Sequence, residues 1–196
     1  MIKLHLGCGK RNFGPDWIHI DGGNFNHISG HDITHLNFED NSVDLIYASH
    51  VIEYFDRDEI INILFEWKRV LKIGGVLRLA VPSFYDMACL YIMHGYGLDR
   101  FLGPLYGKME MGDKDIYHKT VYDYESLKNI LKIVGLNNIR RYDWRKTDHN
   151  NFDDHSQAYI PHMDKENGVL ISLNVEAIKW LVDLFHNSNL MFQKNT

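Results

Sequence analysis

The first 21 residues leave little freedom in what this chain can fold into. Lys3-Leu4-His5-Leu6 reads as a strand, it runs into Gly7-Cys8-Gly9, and Asp21 follows Gly9 by only 12 positions. A strand ending in Gly-x-Gly leaves backbone N–H groups bare enough for a nucleotide-like ligand to approach, and an acid closing the next strand can hold ribose hydroxyls. The spacing narrows the ligand. A dinucleotide fingerprint needs Gly-x-Gly-x-x-Gly opening a full helix, with its acid about 20 residues further on. Here Arg11 and Asn12 lead to Phe13, and the next glycine is Gly14, two positions late. That is too little chain for a crossover helix, so a pyrophosphate would find no long helix N-terminus. A ligand with ribose and no phosphate fits better.

Further along, strand-like and helix-like segments alternate, which indicates an α/β fold with a mostly parallel sheet. Strands are expected at about 2–6, 17–20, 30–33, 43–48 and 75–81. A helix from Asp58 carries Ile60, Ile61, Ile63, Leu64, Trp67, Val70 and Leu71 on an apolar stripe, with Gly74-Gly75 expected to stop it. A second helix starts with Asp123 as its cap and lines up Leu127, Ile130, Leu131 and Val134, with Gly135 past its end. Two last strands are expected at 138–144 and 168–176, and the final ten residues read as a frayed tail.

The stretch from Asn37 through Val43-Asp44-Leu45-Ile46-Tyr47-Ala48-Ser49-His50-Val51-Ile52-Glu53-Tyr54-Phe55 leads into the first helix. That helix closes with Glu66-Trp67-Lys68-Arg69-Val70-Leu71-Lys72-Ile73-Gly74-Gly75 ahead of Val76-Leu77-Arg78-Leu79-Ala80-Val81-Pro82. Together with the glycine turn and its acids, this closely resembles the class I methyltransferases that use S-adenosylmethionine. Within them it is similar to small predicted methyltransferases whose first helix is reduced. The resemblance covers about residues 2–83. It extends more weakly to about 179 through Tyr117-His118-Lys119-Thr120-Val121-Tyr122-Asp123 and Ile171-Ser172-Leu173-Asn174-Val175-Glu176-Ala177. It implies a Rossmann-like sheet with helices on both faces, an antiparallel C-terminal edge hairpin, and S-adenosylmethionine as cofactor.

Site residues follow from the same resemblance. Gly7, Cys8 and Gly9 would pass beside the cofactor's amino-acid end. Asp21 matches the acid that takes both ribose hydroxyls, with Gly22-Gly23 close to the sugar. Asp32 matches the acid that accepts from the adenine amino group, with the Ile33 N–H facing the ring. Ser49 and His50 end the fourth strand next to the methylsulfonium position, where His50 either contacts ligand or is a satisfied turn histidine. Arg11 is either a bidentate partner of the cofactor carboxylate or a solvated loop cation. Many relatives read Glu-His where this chain has Glu53-Tyr54.

Two segments exceed what a nucleotide-binding half needs, 84–120 and 145–167, within one domain spanning 1–196. Loops this long in a compact domain are usually lids or binding loops, expected to cover the crevice at the strand C-terminal ends. An oxygen or nitrogen acceptor must lose a proton, and histidine is the side chain whose ordinary pKa suits that. His118 is the first candidate base. The cluster His149, Asp153, Asp154 and His155 is the second, and it reads more simply as a solvated acidic loop than as a metal site. Tyr85, Tyr91, Tyr96, Tyr106 and Tyr117 form either an aromatic wall for a sugar acceptor or the packing of a lid or a homodimer surface.

Composition limits the alternatives. A net charge of −5, without a Lys/Arg stripe, disfavours a nucleic-acid partner. Two cysteines support neither a disulfide framework nor a four-ligand zinc site. The early first strand and the lack of a long apolar run point to a cytoplasmic protein without membrane attachment. The expected function is methyl transfer to a small-molecule or sugar/polysaccharide-precursor acceptor. The rivals are a non-catalytic cofactor-binding scaffold and a nicotinamide-dependent oxidoreductase, the latter opposed by the glycine spacing.

Overall fold

Alternation along β1 (Lys3–Leu6) sends Leu4 and Leu6 to one side and His5 to the other, and both sides are buried. A strand covered on both faces belongs in the middle of a sheet. The computed structural model describes residues 1–111 and 114–181, so the expected frayed tail lies outside the described residues.

After β1 come β2 (Ile18–Ile20), β3 (Ile28–Gly30), β4 (Val43–Ser49), α1 (Glu59–Val70) and β5 (Leu71–Pro82). The first long insertion supplies α2 (Phe84–His94), α3 (Leu102–Tyr106) and the hairpin β6 (Met109–Met111) with β7 (Lys114–Ile116). Then follow α4 (Tyr124–Ile133), β8 (Leu136–Arg141), a small pair β9 (Tyr159–Ile160) and β10 (Val169–Leu170), and β11 (Ser172–Lys179). The main sheet has seven strands in the order β3-β2-β1-β4-β5-β11-β8. Its first five strands are mutually parallel, and β11 runs antiparallel between β5 and β8. This is the Rossmann-like sheet with antiparallel closing strands that the sequence implies. All helices of the described residues are too short or too polar to cross a membrane.

Three boundaries differ from expectation. β3 ends at Gly30 because the Asp32 carboxylate accepts from the Thr34 N–H at 2.7 Å and the Thr34 hydroxyl at 2.6 Å, folding the next residues into a turn. α1 stops at Val70, before the glycine pair. Leu71 turns extended at φ −61° and ψ 137°, fully buried and paired with Val43, so core burial takes it from the helix. Gly74, at φ +82°, serves the irregular stretch of β5 instead. β11 starts at Ser172 because Val169 and Leu170 pair with β9.

The helices α1 and α4 close one face of the sheet, where Leu4, Leu6, Ile46, Leu77 and Leu79 meet Ile60, Leu64, Trp67, Leu127 and Leu131. Asp123 caps α4 through a capping box with Ser126. The other face has no helix between β1 and β2 to cover it. Phe13 and Trp17 of the β1–β2 loop cover it together with the second insertion. The Phe13 ring stacks on His5 at 4.0 Å, on Phe152 at 4.7 Å and on His149 at 5.3 Å. Short helical turns at Trp144–Lys146 and His155–Gln157 are the regular structure of that insertion on this side. Shortening the first crossover leaves apolar sheet surface bare, and a packed layer has to come from elsewhere in the chain.

Charges pin the insertion in place. Asp148 bridges Lys3 at 2.5 Å and Arg78 at 3.3 Å, and Arg78 continues to Glu176, which Arg140 holds at 2.7 Å. Asp154, 2% exposed, accepts from the Tyr47 hydroxyl at 2.5 Å and from the Ser156 N–H at 2.8 Å. Tyr47→Phe strips that buried carboxylate of its side-chain donor. It is expected to cost about 1–3 kcal/mol in urea unfolding, since an orphaned buried acceptor forfeits its desolvation cost. A loss below a few tenths of a kcal/mol would show that Asp154 does not depend on this bond.

Candidate active site

The glycine turn at the end of β1 is shaped by two different demands. Gly7 has φ +63°, and a Cβ there would lie 2.3 Å from a Val51 methyl carbon, so the turn after β4 packs directly against it. Gly9 has φ +55° and nothing within 4 Å of its Cβ position, which leaves open space before its backbone. The Gly9 N–H donates to Asp21 Oδ2 at 2.7 Å, and the Gly23 N–H donates to Asp21 Oδ1, also at 2.7 Å. Asp21 is thereby locked across the open turn, half-buried, with lone pairs to spare on both oxygens. Cys8 lies buried behind the turn, its thiol pushed up to about 12 chiefly by burial, so it stays neutral and contributes backbone and packing.

Asp32 stands exposed beyond β3, with Oδ1 held by Thr34. Those hydrogen bonds keep its carboxyl below the usual carboxylate range. The Ile33 carbonyl next to it accepts from the Trp67 indole N–H at 2.7 Å, which ties this segment to α1. Gly22 is roofed by the first insertion, because its Cβ position is 3.4 Å from the Met111 sulfur. The second insertion reaches the same crevice from the other side. Arg11 Nε donates to the Asp153 carbonyl at 2.9 Å, and Nη2 stands 3.5 Å from His155 Nε2. Arg11 is therefore engaged in clamping an insertion to the glycine turn.

The reactive-looking groups gather after β4. Ser49 is buried, with a hydroxyl that has no partner among the described residues. His50 sits at φ +55°, a left-handed conformation that costs a non-glycine residue energy and that clusters at functional sites. Its ring stacks on His155 at 4.9 Å, and its Nδ1 lies 3.7 Å from Glu53 Oε1. His118 Nε2 approaches the same Oε1 at 3.8 Å, while its Nδ1 faces the Pro104 carbonyl at 3.0 Å. Gly107 makes room for that ring, since any Cβ there would fall 2.0 Å from His118 Nε2. Burial pushes the Glu53 carboxyl up to about 8 and pushes His50 and His118 down, so the three are neutral together near pH 7.

The structure thus brings His50 and His118 together across Glu53, with Gly7 touching the turn that carries His50. Asp154 lies apart, its oxygens taken by Tyr47 and Ser156 on the covered sheet face. Of the five tyrosines, Tyr85, Tyr91, Tyr106 and Tyr117 are exposed, and Tyr96 packs against the small core of Met87, Leu90 and Phe101. Glu53 is the residue that sequence reasoning passed over. Its only signal is an acid between Ile52 and Tyr54 just past a buried strand.

Residues 19–79 match the model of a protein family described as a methyltransferase domain, a span from β2 through most of β5 that includes Asp21, Asp32, His50 and Glu53. The fold is that of S-adenosylmethionine-dependent methyltransferases. No curated protein sequence matches it. Among solved structures, a methyltransferase from Methanosarcina mazei aligns at TM-score 0.56 and 16% identity, over 92% of this chain and 93% of that one. One from Archaeoglobus fulgidus aligns at 0.54 and 16%, over 91% and 86%. The 1,6-didemethyltoxoflavin-N1-methyltransferase of Burkholderia thailandensis, solved with that acceptor and S-adenosylhomocysteine, aligns at 0.53 and 10%, over 92% and 71%. At these identities the likeness is one of fold.

The Burkholderia enzyme was solved with S-adenosylhomocysteine, and the residues present in this chain suit S-adenosylmethionine. The open space before Gly9 admits an amino-acid end. Asp21 and Asp32 offer separate acceptors for ribose hydroxyls and an adenine amino group. No built phosphate cradle at a helix N-terminus follows β1, because no helix lies between β1 and β2.

Proposed function

We propose that this chain is an S-adenosylmethionine-dependent methyltransferase acting on an oxygen or nitrogen of a small-molecule or sugar acceptor, with His50 taking the acceptor's proton. The observation that carries the reading is His50 itself. It is held in a strained turn between the glycine motif and Glu53, and its Nε2 has no partner. When bound, the cofactor supplies an electrophilic methyl group on a sulfonium. Gly9, Asp21 and Asp32 hold it by backbone space and carboxylate acceptors. Alignment of donor and acceptor supplies much of the acceleration, up to about 7–11 kcal/mol, and burial, which pushes His50 down, keeps its imidazole neutral and able to take a proton near pH 7.

His118 is less suited to touch the acceptor, being 4% exposed with both ring nitrogens turned to protein groups. The exposed Tyr85, Tyr91, Tyr106 and Tyr117 on the first insertion favour an acceptor with a flat apolar face, such as a pyranose ring. Calorimetric titration with S-adenosylmethionine, S-adenosylhomocysteine and NAD is expected to show binding of the first two and none of NAD. Binding of NAD alone would overturn the reading. Binding of the first two without turnover on any of a panel of sugars and small hydroxyl or amine compounds would favour a cofactor-binding scaffold.

A further inference from the structure

Buried polar atoms without partners are rare in folded proteins and call for a reason. Both carboxyl oxygens of Glu53 are in that position, on a side chain that is 1% exposed, and so is His50 Nε2. The groups around Glu53 come from every element packed on it. His50 and Tyr54 flank it in sequence, His118 and Tyr122 approach from the segment before α4, and His155 and Arg11 stand beyond His50. No cation pairs with it among the described residues, apart from whatever charge the histidines take.

The proton positions can be read from the acceptors. The Pro104 carbonyl can only accept, so the His118 proton is on Nδ1 and the Nε2 lone pair faces Glu53. A protonated Glu53 can donate to that lone pair and still accept at its other lone pairs. What it can accept is an N–H from His50 Nδ1.

We propose that Glu53 is the positioning residue of the methyl-transfer site. As a neutral acid it bridges His118 Nε2 and His50 Nδ1–H, and so fixes His50 in the tautomer whose Nε2 lone pair receives the acceptor's proton. The inference rests on the functional reading above. The separations of 3.7 and 3.8 Å exceed hydrogen-bond length, so the bridge needs each ring to move nearer Glu53 by about 1 Å or less. With the methyl donor bound, the acceptor's oxygen or nitrogen would bond to the methyl carbon as the methyl–sulfur bond breaks and leaves its electron pair on sulfur, and the proton the acceptor loses would bond to His50 Nε2. The resulting imidazolium keeps its Nδ1–H on Glu53. The burial that raises the Glu53 carboxyl to about 8 keeps the bridging proton in place at neutral pH.

The test is ¹⁵N NMR of the imidazoles in the wild type, Glu53→Gln and Glu53→Leu, with calorimetric binding of S-adenosylhomocysteine in the same samples. His50 is expected as the Nδ1–H tautomer in the wild type. Both histidines face Oε1, so glutamine can keep the His50 N–H bond by turning its carbonyl oxygen there but then gives up the donation to His118; it is expected to keep the His50 tautomer with a shifted His118, whereas leucine releases His50 to a mixture. A step in the His50 and His118 shifts near pH 8 is expected in the wild type and absent in Glu53→Gln, which decides the matter if the leucine variant fails to fold. An Nε2–H tautomer in the wild type, or the same pH step in Glu53→Gln, overturns the proposal. If S-adenosylhomocysteine binds and the tautomer is wrong, only the role of Glu53 fails. If it does not bind the wild type, the functional reading fails, and the proposal with it.

Discussion

Trp67→Ala is expected to lower the free energy of unfolding by about 3–5 kcal/mol, read as a shifted midpoint in guanidinium chloride with little change in slope. Trp67 is fully buried on α1, among the largest side chains of the main core. Truncation leaves a cavity between α1 and the sheet, and a packed interior relaxes only partly around such a hole. A second loss comes with it. The indole N–H is the donor to the Ile33 carbonyl at 2.7 Å, so the segment carrying Asp32 loses its tie to α1. Trp67→Phe separates the two contributions. It keeps most of the apolar volume and loses the bond, and is expected to cost about 1–2 kcal/mol. Binding of S-adenosylmethionine should weaken more in Trp67→Ala than in Trp67→Phe, because the first frees the segment from both packing and hydrogen bond. An alanine variant within 1 kcal/mol of the wild type would mean that α1 collapses onto the sheet far more readily than its packing implies.

Asp21→Ala is expected to weaken S-adenosylmethionine binding by about 10²–10⁴-fold in the same calorimetric titration. A carboxylate accepting two ribose hydroxyls contributes about 1.5–3 kcal/mol for each charge-assisted bond, and 1.4 kcal/mol is tenfold in affinity. The side chain also has a role within the protein. It holds the Gly9 N–H and the Gly23 N–H at 2.7 Å each, so its removal loosens both walls of the site at once. Asp32→Ala is the comparison. Asp32 is exposed, and its Oδ1 is already engaged by Thr34, so a loss of only about 5–10-fold is expected from one partly solvated hydrogen bond. Equal effects at the two positions would place the ribose elsewhere than on Asp21.

The glycine turn, its distance to Asp21, the stripe of α1 and the Asp123 cap of α4 are all legible in the chain. Each is a relation between residues near in sequence, set by backbone sterics, helical period or a cap three residues away. The mostly parallel sheet with antiparallel closing strands follows from alternation and the family resemblance, whereas the order of its seven strands rests on contacts between distant segments. Boundaries were less legible where a local preference met the core, as when Leu71 left the α1 stripe to lie buried opposite Val43. The short β1–β2 crossover was visible, but not its consequence. The bare sheet face draws in Phe152, His149 and Asp154 from more than a hundred residues away, and it makes Asp154 an anchor under Tyr47.

The proton chemistry was invisible until the chain folded. Twelve histidines in one sequence look alike. Only the tertiary structure sets His50 and His118 against one buried carboxyl, turns Arg11 to the second insertion and lays Met111 over Gly22. Short-range geometry follows from residue order, because dihedral preferences and side-chain periods act over a few residues. Which polar groups share a water-poor space, and hence what charge they carry, depends on contacts between distant segments, and those exist only in the folded chain.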